Sequence, residues 1–525
     1  MGRTEPTEQA QLPARPAELE ESEQSQRTDE PGKTGQAARA EQGAPGAASV
    51  RPTERRPLDP AVLEELRAVF GEERVLIAEW DLLSYSYDAS FASVLQPGVP
   101  DVVVQPDTTE EVAAAVRIAA RYGVPVVPRA GASAMTGGSV PRAGGITLDL
   151  RRMNRVLEID LDNLQVVCEP GIIHDALNEY LAPHGFSLPV DPGSTKMATV
   201  GGMVANNSCG MRAVRYGSTA HYVLGLEVVL PSGEVIWTGS AHSKALQSAS
   251  GLNLTGIFVG SEGTLGVITK IRFKILPKAP ARGVVTALFD RLEDAGEATR
   301  LIFRGGIIPS ALELMDQAAI RAVNMYKPEL ELPEAAAMLL VEIEGQPGGV
   351  AETAQTVAQL LGGISQHVQW SDRPAEVAAL WQARSVLGAA SALIKEHATR
   401  VATGEDIAVP ISRMPETLGR IAEIAREHGI ACTTYGHIGS GNVHSAFVID
   451  PRDPDEVRRV LAASDDIHRL ALEMGGTVTG EHGVGFVRPQ YMAREHGPAL
   501  AAMQAIKRAL DPQGIMNPGK LLPAE

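Results

Sequence analysis

Two histidines stand seven residues apart in Tyr435-Gly436-His437-Ile438-Gly439-Ser440-Gly441-Asn442-Val443-His444, around a glycine-rich turn. The flanks, Ala431-Cys432-Thr433-Thr434 and Ser445-Ala446-Phe447-Val448, are strand-like. A turn that brings two imidazoles together suits a divalent metal such as Zn²⁺ or Mn²⁺. Isolated histidines are more often hydrogen-bonded packing residues, but a third element weighs against that here. Gly480-Glu481-His482-Gly483-Val484-Gly485 adds a carboxylate and another imidazole between permissive glycines. Two histidines plus one carboxylate leave metal positions open for a substrate.

Three further segments are dense in glycine and small residues. Arg129-Ala130-Gly131-Ala132-Ser133-Ala134-Met135-Thr136-Gly137-Gly138-Ser139 directly follows a strand-like run that ends in Pro128. Small residues there let backbone N–H groups approach and cradle a diphosphate. No GxGxxG occurs, so a Rossmann fingerprint is excluded. The second segment runs from Asp191-Pro192-Gly193-Ser194 through Thr199 to Gly210, with Arg215-Tyr216-Gly217-Ser218 after it; the third is Gly260 to Thr269. Glycines this dense among apolar strand residues weaken strands unless something packs on the backbone, and a large flat ligand would do so.

These motifs resemble the FAD-binding oxidoreductases of the vanillyl-alcohol oxidase (PCMH) type, in the branch of D-lactate dehydrogenase, the glycolate oxidase large subunit and D-2-hydroxyglutarate dehydrogenase. The resemblance covers roughly residue 60 to the end, in order. It implies a two-subdomain PCMH-type FAD-binding domain, then an α+β, ferredoxin-like substrate or cap domain, and a C-terminal segment returning to the flavin. It implies FAD contacts at Pro128, Arg129, Ala130, Gly131, Ala132, Ser133, Gly137 and Gly138; at Asp191, Gly193, Ser194, Gly201, Gly202, Asn206, Asn207, Gly210, Tyr216 and Gly217; and at Glu262, Gly263, Gly266, Val267, Ile268 and Asn517. Some relatives attach flavin through a histidine in the first loop. That loop has none here, so non-covalent FAD is expected.

By the same resemblance, His437, His444 and Glu481 hold the divalent metal, His482 is the general base and Asn442 belongs to the catalytic set. Arg384, in Leu380-Trp381-Gln382-Ala383-Arg384, would otherwise read as an exposed helix residue. The resemblance makes it a bidentate clamp for a substrate carboxylate. The implied reaction oxidises a small (D-)2-hydroxy acid such as D-lactate or glycolate to the 2-oxo acid, with hydride to flavin N5. Electrons then go to an external acceptor: an electron-transfer flavoprotein, a cytochrome, a quinone-linked partner or an iron–sulfur subunit. Two departures stand out. Ser440 replaces an aspartate usual in the histidine motif. Gly404 replaces a lysine found in hydroxyglutarate-type relatives, which disfavours a second substrate carboxylate. Two rivals stay open: a same-fold oxidase of a different alcohol, and a flavin-binding subunit whose own site is impaired.

These residues need elements to position them. A helix is expected from Asp59, a strand at Asp101–Gln105, a helix behind the capping box Thr108–Glu111 and closed by Gly123, and a strand at Val124–Pro128. From Gly145 to Pro277 the pattern is β-rich; beyond residue 282, strands at 284–289 and 337–343 alternate with Ala- and Glu-rich helices. The expected division is a disordered tail over 1–56, an FAD-binding domain over 57–279 and a substrate and metal domain over 280–525. The 525-residue chain carries a formal charge of -17, which argues against nucleic acid. Three scattered cysteines without a CxxC exclude a disulfide framework and fit a reducing cytoplasm. No run of residues approaches a transmembrane helix.

Overall fold

The computed structural model describes residues 57–239, 241–403 and 406–523. The tail to residue 56 and Gly404 lie outside the described residues.

The first sheet has four strands, ordered Val75–Leu76, Val102–Val104, Ile146–Asp149, Val126–Arg129. The last three run parallel. Their residues are nearly all buried, as parallel strands covered on both faces must be. Helices Pro60–Phe70 and Thr109–Tyr122 flank them. Asp59 caps the first by accepting from the Ala61 N–H at 2.9 Å. Thr108 caps the second by accepting from the Glu111 N–H. The expected capping box is shifted by one residue: the Glu111 carboxylate accepts from the Asp107 N–H and pairs with Arg74. Gly123 ends that helix at φ +65°.

The second sheet is antiparallel, in the order Val156–Asp160, Gln165–Cys168, Val267–Lys274, Val223–Val229, Val235–Trp237. A tight turn at 231–233 joins its last two strands. This region is less purely β than its composition implies. Helices His174–Leu181, Val200–Asn206 and Leu254–Phe258 are set into it. The glycine-dense stretch read as weakened strand is the second of these. Gly201 lets it lie directly on Pro170, where an added Cβ would stand 2.5 Å from the proline Cβ.

Beyond residue 280, strands Ala281–Phe289, Ala311–Asp316, Ala337–Gly345 and His367–Ser371 form a βαββαβ unit with helices Leu292–Arg304 and Pro347–Leu361. Numbering these strands one to four, the sheet order is 4-1-3-2 and all neighbours are antiparallel, the ferredoxin-like arrangement. Helix Gln317–Tyr326 is inserted between its second and third strands. Ala431–Gly436, Asn442–Ile449 and Thr399–Val401 extend the sheet. Both helices of the unit bury their apolar faces on Val285, Ala287, Phe289, Leu339 and Val341. The chain end returns to the first sheet: the Val126 N–H donates to the Ile515 carbonyl, and the Asn517 N–H to the Val126 carbonyl, both at 2.8 Å. No single helix among the described residues is long and apolar enough to cross a membrane.

Candidate active site

A cavity of about 370 Å³ lies between the glycine-rich loops of the first domain and the sheet of the second. Its cap wall carries Arg384, Tyr435, His437, His444, Glu481 and His482, so five of the residues singled out by spacing converge across the fold.

His437 follows strand Ala431–Gly436, and His444 lies inside strand Asn442–Ile449. The turn between them needs Gly441: φ is +85°, and an added Cβ would stand 2.3 Å from the Val409 carbonyl. The His437 and His444 rings meet edge-on at 5.1 Å, and His444 stacks on His482 at 5.3 Å. Glu481 Oε1 is 3.2 Å from His437 Nε2 and 3.5 Å from His444 Nε2. The other oxygen of Glu481 is buried and makes no hydrogen bond among the described residues.

The loop bearing Glu481 and His482 is held by Asp406, which is fully buried. Its Oδ2 accepts from the Glu481 N–H at 3.0 Å, the His482 N–H at 2.8 Å and the Thr479 hydroxyl at 2.7 Å; its Oδ1 accepts from the Asn442 amide at 2.7 Å. Asn442 is therefore committed to Asp406 and to the Ile407 carbonyl, behind the imidazoles and off the cavity wall. Behind the loop, Arg488 donates to His468 Nε2 at 3.1 Å and to the Gly483 carbonyl at 2.7 Å.

Arg384 lies in the last turn of helix Pro374–Ser385 and is buried, not exposed; Leu387 begins a separate short helix. Its Nε donates to Glu313 Oε2 at 2.7 Å, and its guanidinium lies 4.9 Å over the Tyr435 ring. The two terminal nitrogens make no hydrogen bond among the described residues. The second oxygen of Glu313 accepts from His437 Nδ1 at 2.7 Å.

Burial alone would depress the His437 imidazole, but the carboxylates of Glu313 and Glu481 outweigh it and raise its pKa to about 10. Burial would raise Glu481, yet the surrounding imidazoles hold it well below the usual carboxylate range. The pocket is thus built to attract positive charge. Burial lowers His482 to about 4 against the opposing pull of Asp406, which leaves it neutral at physiological pH. Donor atoms of Asp406, His444, Glu481 and His482 lie within 4.8 Å of one another. The oxygens of Asp406 are already engaged by four donors, which suits orientation better than ligation. His437 instead aims its Nε2 at Glu481 while Nδ1 is anchored. The orphaned Glu481 oxygen beside two imidazoles fits a divalent cation.

The opposite wall is backbone. Of the residues expected to hold a cofactor, Pro128 through Ser133, Gly138, Gly193, Ser194, Gly201, Gly202, Asn206, Glu262, Gly263, Gly266 and Ile268 line the cavity. Eight others do not. Gly137 lies beneath the Phe486 ring, and Asn517 braces the loop by donating to the Gly138 and Glu262 carbonyls at 2.8 and 2.7 Å. Asp191 pairs with Arg212, and Gly210 packs on the Asp191 carbonyl. The Tyr216 hydroxyl donates to Glu344 at 2.5 Å, and Gly217 packs on His221. Asn207 ends a helix in the left-handed region, and Val267 faces the core. An added Cβ at Gly193 meets nothing within 4 Å, and at Gly138 only Glu262 at 3.8 Å. The N–H groups of Ala132 and Ser133 have no acceptor among the described residues.

Residues 100–239 match the FAD binding domain family, and residues 278–521 the C-terminal domain of FAD linked oxidases. The glycolate oxidase subunit GlcD of Bacillus subtilis is 36% identical over 463 residues, covering 88% of this chain and 96% of that one. The mitochondrial cytochrome-linked D-lactate dehydrogenase of Arabidopsis thaliana is 38% identical over 432 residues, covering 81% and 74%. The chain belongs to the FAD-linked oxidases. Among solved structures, 4-ethylphenol oxidase from Gulosibacter chungangensis aligns with a TM-score of 0.73 at 22% identity, covering 88% of this chain and 97% of that one. p-Cresol methylhydroxylase aligns at 0.71 and 18%, covering 88% and 96%. These share the PCMH-type fold.

The glycine wall fits the cofactor of this FAD-linked oxidase family. Its open Gly138 and Gly193 positions leave room that a Cβ would fill, and the uncommitted N–H groups of Ala132 and Ser133 are donors of the kind a diphosphate needs.

Proposed function

We propose that this enzyme oxidises a small 2-hydroxy carboxylate, of the D-lactate or glycolate kind, to the 2-oxo acid and passes the electrons to an external acceptor. The observation that carries the reading is the cap wall: a guanidinium with two uncommitted nitrogens stands beside an imidazole–carboxylate cluster, facing the glycine wall. The names of the glycolate oxidase and D-lactate dehydrogenase relatives support it.

In this reading Arg384 receives the substrate carboxylate on its terminal nitrogens and fixes its orientation. His437, His444 and Glu481 hold a divalent metal such as Zn²⁺ or Mn²⁺, which when bound polarises the substrate hydroxyl. His482, neutral and beside His444, accepts the hydroxyl proton. Asp406 holds the loop that presents it, and Asn442 steadies Asp406. FAD, bound non-covalently on the glycine wall, supplies the two-electron oxidant. The acceptor is an electron-transfer flavoprotein, a cytochrome, a quinone-linked partner or an iron–sulfur subunit, and the site works in the cytoplasm. The domain division at about residue 280 belongs to the same reading. Ser440 directs its hydroxyl to the His437 carbonyl at 2.9 Å and lies off the wall, so nothing at the site favours an impaired subunit.

The test is anaerobic bleaching of the flavin absorbance with D-lactate, L-lactate, glycolate and D-2-hydroxyglutarate, each with and without chelator. Rapid bleaching by one acid, lost on chelation, is expected. Bound FAD that no acid reduces would overturn the assignment for this panel.

A further inference from the structure

We propose that Glu313 is the positioning residue that ties the metal site and the carboxylate clamp into one unit. The inference rests on the function proposed above. Glu313 lies in strand Ala311–Asp316 and is fully buried. A lone buried carboxylate is costly, and breaking a buried pair leaves an uncompensated charge. This one is satisfied by two donors from different elements of the same wall. Oε2 accepts from Arg384 Nε and Oε1 from His437 Nδ1, each at 2.7 Å. The two donors lie 71 and 124 residues away in sequence.

Each bond has a chemical consequence. Donation from Nδ1 assigns the His437 proton to that nitrogen in the ligating state and leaves the Nε2 lone pair facing Glu481, where the cation would sit. Engagement of Arg384 through Nε alone leaves its two terminal nitrogens as a fork for a carboxylate. Because one carboxylate holds both groups, the separation between cation and fork is set by Glu313. A 2-hydroxy acid presents its hydroxyl and its carboxylate on adjacent carbons, so a fixed separation is what its two-point recognition requires. Glu313 does not line the cavity and acts through His437 and Arg384.

Glu313→Gln tests this, because a glutamine oxygen can accept from only one of the two donors and its amide opposes the other. The readouts are metal affinity measured against a competing chelator, FAD content, the thermal midpoint, and KM separately from kcat for whichever panel acid bleaches the parent. The expected result is metal affinity weakened 10- to 100-fold and KM raised about tenfold, with FAD content and thermal midpoint unchanged. In a folded variant, parental metal affinity together with parental KM would overturn the proposal, as would loss confined to FAD content. Glu313→Asp keeps the charge but is too short to span both donors, so it must show the same paired loss if the glutamine variant fails to fold. A parent protein that binds no metal would instead sink the reading on which the inference rests.

Discussion

The two walls of the cavity are made in opposite ways. The first-domain wall works by leaving side chains out: Gly138 and Gly193 open space, and backbone N–H groups supply the polarity. The cap wall works by burying charge, and each charged group there is held by another, His437 and Arg384 by Glu313, and the Glu481–His482 loop by Asp406. A wall of absences tolerates error in any side chain but not an added carbon. A wall of tethered charges tolerates small changes of volume but not the loss of a partner.

Four changes would break or sharpen that contrast. Arg384→Met is expected to lower kcat/KM for the bleaching acid about a thousandfold, roughly 4 kcal/mol, while FAD stays bound; rapid-reaction reduction kinetics measure it. Chelation should slow reduction about a hundredfold, roughly 3 kcal/mol, with the flavin spectrum retained and the rate restored by Mn²⁺ or Zn²⁺.

The third change concerns the support behind the cap wall. Burial and the neighbouring Arg488 lower His468 to about 3, below its unfolded value of 6.5. Between those values the unfolded chain binds the extra proton. Stability is therefore intact above pH 6.5 and falls as pH drops, by about 2 kcal/mol between pH 6.5 and 5. Denaturant titrations across that range should show a shallower acid decline in His468→Gln, which keeps an acceptor for Arg488. Last, Gly138→Val should weaken FAD binding about tenfold, roughly 1.4 kcal/mol, and leave metal affinity alone; a flavin titration beside a metal titration separates the two walls.

Much of the glycine wall was legible because each of its segments is dense in glycine over a short stretch. Pro128 to Ser133 follow one another along a loop after a strand, while Gly193, Gly201 and Gly263 reach the wall from two other segments. The imidazoles were legible because a turn fixes the distance between His437 and His444. Glu313 and Asp406 were not. Glu313 sits in Ala311-Leu312-Glu313-Leu314-Met315-Asp316, where an acidic residue between two leucines reads as an edge or a tolerated exception. Its partners are joined only by the tertiary fold. The same limit explains Val200–Asn206: two glycines argue against a helix by propensity, but close packing on Pro170 overrides it.

The bridge from Val126 to Ile515 and Asn517 has a temporal consequence. A ribosome makes the first domain's strands hundreds of residues before the segment that pairs with one of them. The loop after Val126–Arg129 therefore waits, braced by neither Asn517 nor its backbone partners, until that later segment has been made. The brace on that loop is a contact of long sequence separation, which closes later than the local pairings around it.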